Sequence, residues 1–373
     1  MTSRERLMSI FQGQAPDRPA IKLWSASPSQ KARHPAYEPV LRLAVEATDL
    51  MVSAGSPFNL HWGTAAAEIS KSQERPTDSP EWVEVVTHIR TADRTLQSIH
   101  TKSTVGKPGY QKEHLFKEPD DIRRMLAVPY QPHPFSADSF RATEKAVGER
   151  GVAMFSLDHA MYGLERMIGS ENFALWSLER RDLLTEAIEA LSRRICEHVK
   201  RAFEAGLKPI FAWVGPELCI PPLMSPRDFE DFVFRFDKPL CDLIHEGGGY
   251  VWVHCHGKMG PVLERFVAMG VDVLNPIEPP PMGDVTLAQA FDRVGDRMGL
   301  EGGIETHDLM MAAPEHIRKL VREAMAAGRG RRFILCPSSG YMEVPVPEDR
   351  FIQNLMAYLE EGLRCAEEAA SLG

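Results

Sequence analysis

Short apolar runs alternate with longer amphipathic stretches along most of the chain. Eight runs are rich in β-branched or aromatic residues and end near glycine or proline, which is typical of strands buried on both faces of a parallel sheet. They lie at residues 20–24, 49–55, 152–158, 209–215, 250–255, 271–278, 297–303 and 332–338. Alternation of eight strands with helices predicts an α/β fold, a (β/α)₈ TIM barrel, as one domain over residues 1–373.

The intervening stretches carry recognisable helix boundaries. Residues 225–249 open with a serine and a proline and close on three glycines, and residues 313–330 end at glycine. Residues 349–372 predict an amphipathic last helix packed against the barrel. No G-x-G-x-x-G follows an early strand, which disfavours a dinucleotide-binding sheet.

Residues 56–150 do not fit this alternation. Residues 82–101 contain two stretches of period 2 on either side of "TADR", which predicts a hairpin, and residues 107–121 are predicted to be a loop. We therefore predict one long, hairpin-containing insertion after the second strand, lying over the barrel mouth. It serves either as a lid or docking surface, or as an excursion without a function of its own.

Composition and charge narrow the class of partner. The net charge is −9 with 25% charged residues, which disfavours binding to nucleic acid or to an anionic membrane and favours a small molecule or a protein. The N-terminal segment is charged from Arg4 onward, and no apolar run approaches the roughly 18 residues that a membrane span needs. Six scattered cysteines are expected to be reduced, so we predict a cytoplasmic protein.

Polar residues collect where the predicted strands end. Active sites of (β/α)₈ barrels lie at the carboxyl ends of the strands, so these residues are the candidates for chemistry. They are Asn59, His61, Asp158, His159, Glu217, Cys219, His254, Cys255, His256, Asn275, Glu278, Glu301, Glu305, Cys336, Ser338 and Ser339.

The fifth run, "VWVHCHGKMG", has the most specific pattern. Side chains alternate along a strand, so an apolar face with Cys255 packs under the helices while His254 and His256 point to the barrel interior and mouth. Two such imidazoles can chelate one metal ion. Cys336 from the last strand would add a thiolate, and Glu217 or water would complete a tetrahedral zinc site.

Two alternatives compete with this metal site. In one, the two histidines bond neighbouring loop carbonyls and Cys336 is a small buried hydrophobic residue. In the other, the mouth transfers protons without a metal, with Asp158 or Glu278 as general acid or base.

Four segments in order and spacing resemble the uroporphyrinogen decarboxylase superfamily. They are "MTSRERLMSIFQGQAPDRPAI", the segment from "HCHGKMG" to "PPPMGDV", "RMGLEGGIETHDLM" and "FILCPSSGY". The resemblance implies a (β/α)₈ barrel. Decarboxylases of this family carry an R-Q-A-G-R-Y-type motif and an F-S-D-I segment, and "IKLWSASPSQKARHPAYEP" and "ATDLMVSAG" contain neither, so decarboxylation of uroporphyrinogen is not expected.

The other branch of the superfamily contains cobalamin-dependent methyltransferases, in which H-x-C and a later cysteine hold zinc. The resemblance places the first ligand at His254 and the last at Cys336, with His256 in place of the middle cysteine. Cys255, one position out of register, stays an alternative if the strand bulges. Loss of one thiolate makes the metal a stronger Lewis acid, so a methoxy donor is at least as credible as a thiol.

This resemblance implies zinc and a corrinoid as cofactors. The chain contains no D-x-H-x-x-G signature, so the corrinoid is expected on a separate protein that docks at the mouth, with Asn59, Asp158 and Asn275 lining the pocket. The other expected partner is a small methylated compound, and the family also suggests a homodimer. The alternatives are a metal-free decarboxylase or lyase acting on another substrate, and a non-catalytic barrel that binds a tetrapyrrole or a partner.

Overall fold

Eight parallel strands form the central sheet in the computed structural model, which describes residues 1–55, 61–340 and 347–371. These barrel strands are β1 (Ala20–Ile21), β2 (Leu50–Ala54), β7 (Gly151–Ser156), β8 (Ile210–Val214), β9 (Tyr250–His254), β10 (Val273–Ile277), β11 (Gly299–Ile304) and β12 (Phe333–Pro337), with β3 (Ser70–Pro76), β4 (Trp82–Arg90), β5 (Thr95–Ser103) and β6 (Tyr110–Glu113) in a second sheet. Each barrel strand coincides with a predicted one to within three residues at either end. The (β/α)₈ fold class is confirmed.

The strand order β1-β12-β11-β10-β9-β8-β7-β2 leaves β1 and β2 at the two ends of the sheet. Asp49 joins them: its backbone N–H donates to the carbonyl of Ile21 at 2.8 Å, and its carboxylate accepts from the N–H of Ile21 at 2.9 Å. The same buried carboxylate accepts from Arg6 at 2.7 Å and Arg18 at 2.9 Å. One aspartate thereby links the N-terminal helix to the closure of the barrel.

Helices lie before, between and after the barrel strands along the chain. They are α1 (Ser3–Phe11), α2 (Glu38–Ala47), α3 (Gly63–Glu68), α4 (Pro119–Leu126), α5 (Asp138–Val147), α6 (Ala160–Ile168), α7 (Ser170–Glu179), α8 (Arg181–Glu204), α9 (Pro226–Phe229), α10 (Arg235–Glu246), α11 (Leu263–Met269), α12 (Leu287–Val294), α13 (Thr306–Met311), α14 (Pro314–Ala327) and α15 (Asp349–Ser371). A π-helical turn joins α9 to α10, and the predicted last helix is α15, packed on α14 and α2. None of these helices is long and apolar enough to cross a membrane within the ranges described.

Two apolar cores follow from the alternation of side chains along the strands. Trp252, Met154 and Ile334 lie in the core inside the barrel, which α1 closes at the amino ends of the strands. Val251 and Leu335 lie in the larger core between the strands and the helices. Because both faces of each strand are buried, polar side chains inside the barrel need partners of their own.

The insertion is built around an antiparallel sheet in the order β3-β4-β5-β6. The predicted hairpin corresponds to β4 and β5, and its turn is closed by the N–H of Thr91 donating to the carbonyl of Arg94 at 2.8 Å. Residues 107–121, predicted to be a loop, contain β6, whose polar residues pair with β5. The helix α5, which lies before residue 150, packs on the barrel strands β2 and β7.

Two buried histidines predict that the folded protein becomes less stable as the pH falls. His61 and His198 are 3% and 4% exposed, and burial lowers the pKa of each to about 4. Because the unfolded chain takes up these protons near pH 6.5, their stabilising contribution is present above pH 6.5 and lost as the pH falls toward 4.

We expect each histidine to cost about 2 kcal/mol of unfolding free energy between pH 7 and 5. Urea denaturation of wild type and His198→Leu at both pH values measures this. The wild type should lose about 2 kcal/mol more than the variant on acidification. Equal losses would show that His198 does not titrate in this way.

Candidate active site at the barrel mouth

Strand β9 brings two histidines to the carboxyl end of the barrel. The predicted alternation is observed: Val251, Val253 and Cys255 lie in the outer core, and Trp252 lies inside the barrel. The rings of His254 and His256 have their centroids 4.5 Å apart and stand nearly perpendicular, at 87°. The two imidazoles are therefore neighbours at the carboxyl end of β9.

His254 is held by a chain of hydrogen bonds. The amide nitrogen of Asn275 donates to Glu301 at 2.8 Å, so its oxygen faces Nδ1 of His254 at 2.6 Å and must accept from it. Burial, together with the neighbouring His256, lowers the pKa of His254 to about 4. The ring is consequently neutral, with its lone pair on Nε2.

His256 is held by a carboxylate. Its Nδ1 donates to Glu278 at 2.7 Å, and the backbone N–H of Gly257 donates to the other oxygen of that carboxylate at 2.8 Å. Burial lowers the pKa of His256, but the hydrogen bond and charge of Glu278 outweigh it and raise that pKa. Burial raises the pKa of Glu278, and the same hydrogen bond outweighs it, so the pKa of Glu278 is lowered and the carboxylate is ionised. A carboxylate on Nδ1 leaves Nε2 of His256 directed to the ligand side.

A buried ion pair lies beneath the histidines. Nζ of Lys22 is 2.7 Å from Glu301, with the side chains 2% and 0% exposed. Trp252 donates its indole N–H to the same carboxylate at 2.8 Å, and Lys22 lies 4.0 Å from the centre of the Trp24 ring. Lys22 is not among the residues predicted above, although a lysine at an inward position of an apolar run is a signal for a buried ion pair.

Two carboxylates near His256 have unpaired oxygens. Oε2 of Glu217 and Oε1 of Glu305 are buried and have no hydrogen-bond partner among the described residues. Burial raises the pKa of Glu217, and burial with the charge of Glu278 raises that of Glu305 to about 7. Both carboxyl groups interact electrostatically with His256. Unpaired buried oxygens of this kind fit a cationic or hydrogen-donating ligand.

Cys336 is fully buried at the end of β12. Burial raises the pKa of its thiol well above the usual value, and its electrostatic neighbours are Lys22 and Glu301. In residues 1–55, 61–340 and 347–371, no three histidine, cysteine, aspartate or glutamate side chains converge as a group that could hold a metal ion. The donor chemistry of the two imidazoles fits zinc, whereas Cys336 is not gathered with them in this arrangement.

The other predicted residues have distinct surroundings. Asp158 follows β7, is partly exposed, and is an electrostatic neighbour of His61 and His198. Asn275 is fully buried with both ends of its amide bonded, so it positions His254. Asn59 lies outside the described residues. Cys255 is buried in the outer core, on the face opposite to the histidines.

Known proteins resemble this chain over most of its length. Residues 99–358 match the sequence profile of uroporphyrinogen decarboxylase (URO-D). A uroporphyrinogen decarboxylase of Prochlorococcus marinus (strain MIT 9303) is 24% identical over 250 residues, covering 63% of this chain and 65% of the relative. A methylcobamide:CoM methyltransferase, MtaA, of Methanosarcina barkeri is 26% identical over 175 residues, covering 47% of this chain and 48% of the relative. The chain thus spans less than two thirds of either relative.

A solved structure resembles nearly the whole chain. It is a methyltransferase from Methanosarcina mazei, with a TM-score of 0.58, 15% identity, and coverage of 97% of this chain and 99% of that one. At this identity the likeness bears on the fold, and it agrees with the barrel described above. Because the profile match spans well over half of the chain, the protein belongs to the uroporphyrinogen decarboxylase (URO-D) family.

Proposed function

We propose that this protein is a zinc-dependent methyltransferase that moves a methyl group between a small methylated compound, a methoxy compound or a thiol, and the corrinoid of a separate protein. The observation that carries the proposal is the pair His254 and His256, each with Nδ1 committed to a fixed acceptor and Nε2 left for a ligand. Similarity to a methylcobamide:CoM methyltransferase supports the same choice.

The proposed zinc ligands are His254, His256 and Cys336, with Glu217 as the fourth. The unpaired oxygen of Glu217 supports its role, and Cys336 must approach the histidines and lose its proton to bind. Zinc, when bound, stabilises negative charge on a coordinated sulfur or oxygen atom. A thiolate or alkoxide would thereby be kept reactive toward methyl transfer at neutral pH.

The protein's own groups hold this site in place. Asn275 and Glu278 fix the rotation of the two imidazoles, so neither is free to rotate away when a substrate enters. Trp24 packs its edge against His254, with ring centroids 5.6 Å apart. These contacts support Glu278 as the group that orients His256, and Asp158 and Asn59 are proposed to line the pocket that receives the corrinoid and substrate.

Exposed apolar side chains at the mouth support docking of a corrinoid protein. Five large ones lie at or after the carboxyl ends of β8, β10 and β11 along the chain: Val214, Leu223, Met282, Met310 and Met311. Exposed apolar side chains on the same face as a polar site would be typical of a protein interaction surface. A separate protein could thus bring its corrinoid over the histidines and exclude water from them.

Metal-free decarboxylation is the alternative function, and the match to a decarboxylase family model is the observation that favours it. The charge around His256 argues against an acidic porphyrinogen, because the ionised carboxylate of Glu278 repels substrate carboxylates and no cation balances it other than His256 among its described hydrogen-bond partners. A decarboxylase of this barrel would then act on a substrate with fewer negative charges.

The deciding experiment measures zinc and methyl transfer together. Protein purified without chelator or histidine tag is expected to hold about one zinc per chain, and to demethylate methylcobalamin in the presence of a simple thiol, or to methylate cob(I)alamin from a methoxyarene. Uroporphyrinogen and simpler carboxylic acids are assayed for CO₂ release in parallel. A zinc-free protein that does not take up added zinc, or CO₂ release without methyl transfer, would contradict the proposal.

A further inference from the structure

A second polar cleft lies at the opposite end of the barrel from the histidines. It has a volume of about 560 Å³ and is formed by the segment after α1, the end of α12 and the turn before β12. Four arginines line it: Arg293, Arg297, Arg331 and Arg332. The proposed function assigns no role to this cleft.

Arg332 is the deepest charge in the cleft. It is 7% exposed, its Nη2 is buried without a hydrogen-bond partner, and no carboxylate lies within 4.0 Å of its guanidinium among the described residues. Burial lowers the pKa of Arg332, and the negative charges of Asp272 and Asp296, which lie beyond ion-pair distance, oppose this shift. Asp272 is already bonded to His245 at 2.9 Å and to a backbone N–H at 2.7 Å. Burying a guanidinium without a direct partner destabilises the folded state, unless an anion binds to it.

Of the other arginines, Arg293 is bound to Glu264 at 2.7 and 2.6 Å and Arg297 lies 3.6 Å from Asp296, so Arg331 is the one that extends the positive charge toward solvent. The guanidinium carbon of Arg331 lies 5.0 Å from the centre of the Phe291 ring. Nη1 of Arg331 lies 3.7 Å from Oδ1 of Asp292. The side chains of the two acidic residues that line the cleft, Asp292 and Asp296, are 75% and 83% exposed. Solvent screens these exposed carboxylates more strongly than the buried guanidinium, so the floor of the cleft is positive in a chain whose net charge is −9.

The backbone leaves space beside this guanidinium. A side chain at Gly13, where φ is +81°, would begin 3.6 Å from Nη1 of Arg332. Gly330, at φ +68°, has nothing within 4 Å of the position of a Cβ atom. Arg332 therefore lines the cleft between two glycines that have no side chain to cover it, and guanidinium groups bind tetrahedral oxyanions in a bidentate manner.

We propose that this cleft is a binding site for a phosphate group, free or carried as a monoester on a small molecule, with Arg332 as the central ligand and Arg331 at the rim.

Calorimetric titration with inorganic phosphate, against chloride at equal ionic strength, tests the proposal on the full chain. The wild type is expected to bind one phosphate saturably, and Arg332→Met, which keeps the length of the stem, to bind at least about tenfold more weakly. Arg329→Met, an exposed arginine outside the cleft, is the control with the same change in net charge and should bind as the wild type does.

Folding of the variants is followed by thermal melts in phosphate-free buffer. Arg332→Met is expected to melt no lower than the wild type, because the lost group had no partner; if it does not fold, Arg331→Met supplies the test with a several-fold loss. No saturable binding by the wild type, or equal losses in Arg329→Met and the cleft variants, would overturn the site. Ribose 5-phosphate then separates the sources: tighter binding than inorganic phosphate assigns a phosphorylated metabolite, and weaker binding assigns free phosphate.

Discussion

Lys22→Met is expected to lower the free energy of unfolding by about 3–5 kcal/mol, because it leaves the carboxylate of Glu301 buried without its counter-charge. Glu301 is completely buried, and its remaining donors would be Asn275 at 2.8 Å and Trp252 at 2.8 Å. Two neutral donors do not replace an ammonium group at 2.7 Å. Urea denaturation at pH 7 gives the change.

Two further variants separate charge from packing. The double variant Lys22→Met/Glu301→Gln should recover most of the loss, because it removes both charges at similar volume. Lys238→Met breaks an ion pair on the exposed face of α10, with side chains 37% and 50% exposed, and is expected to cost less than about 1 kcal/mol. If Lys22→Met were as mild as Lys238→Met, the pair would not be a structural element of the barrel.

The barrel could be predicted from the sequence because its strands are buried on both faces. Continuous apolar runs of the kind seen in β7 to β12 have few alternative structures, and their number then limits the topology. The strand β6 could not be predicted in this way. Its residues "YQKE" are short, polar and largely exposed, so their conformation depends on pairing with β5 rather than on a local pattern.

The candidate site was predicted only in part, because some of its features depend on local strand geometry and others on contacts between distant strands. Alternation along β9 correctly separated His254 from Cys255, since it depends on local geometry alone. The same rule applied to β1 would have placed Lys22 inside the barrel with Ala20, but the partner of Lys22 comes from β11. Which residues of non-neighbouring strands meet depends on strand tilt and stagger, and these are not readable from one strand.

How deep Cys336 lies in the barrel also depends on contacts between strands. Its inward direction follows from alternation with Leu335, which lies in the outer core. Its position beside Lys22 and Glu301, rather than in a group with His256, depends on the register of β12 against β11. The sequence therefore indicated which of these side chains point into the barrel, but not the depth at which each of them lies.

His254→Ala is expected to reduce bound zinc to a trace and methyl transfer at least about a hundredfold, because it removes an imidazole whose Nε2 has no other assigned role. Asn275→Ala should be milder, with a loss of about 10–100-fold in zinc affinity, since the ligand remains but its ring is free to rotate. Zinc analysis and the methylcobalamin assay on the same preparations measure both effects.

Comparing the zinc content and the activity of these variants distinguishes a metal ligand from a structural histidine. His316→Ala, on the exposed face of α14, is the matched control and should keep full zinc and activity. A ligand role requires that zinc and activity fall together in His254→Ala and in Cys336→Ser while urea denaturation shows a folded protein. If His254→Ala kept its zinc, the metal would be bound elsewhere and the two histidines would serve proton transfer, so the carboxyl group of Glu305, whose pKa is about 7, would become the first group to replace.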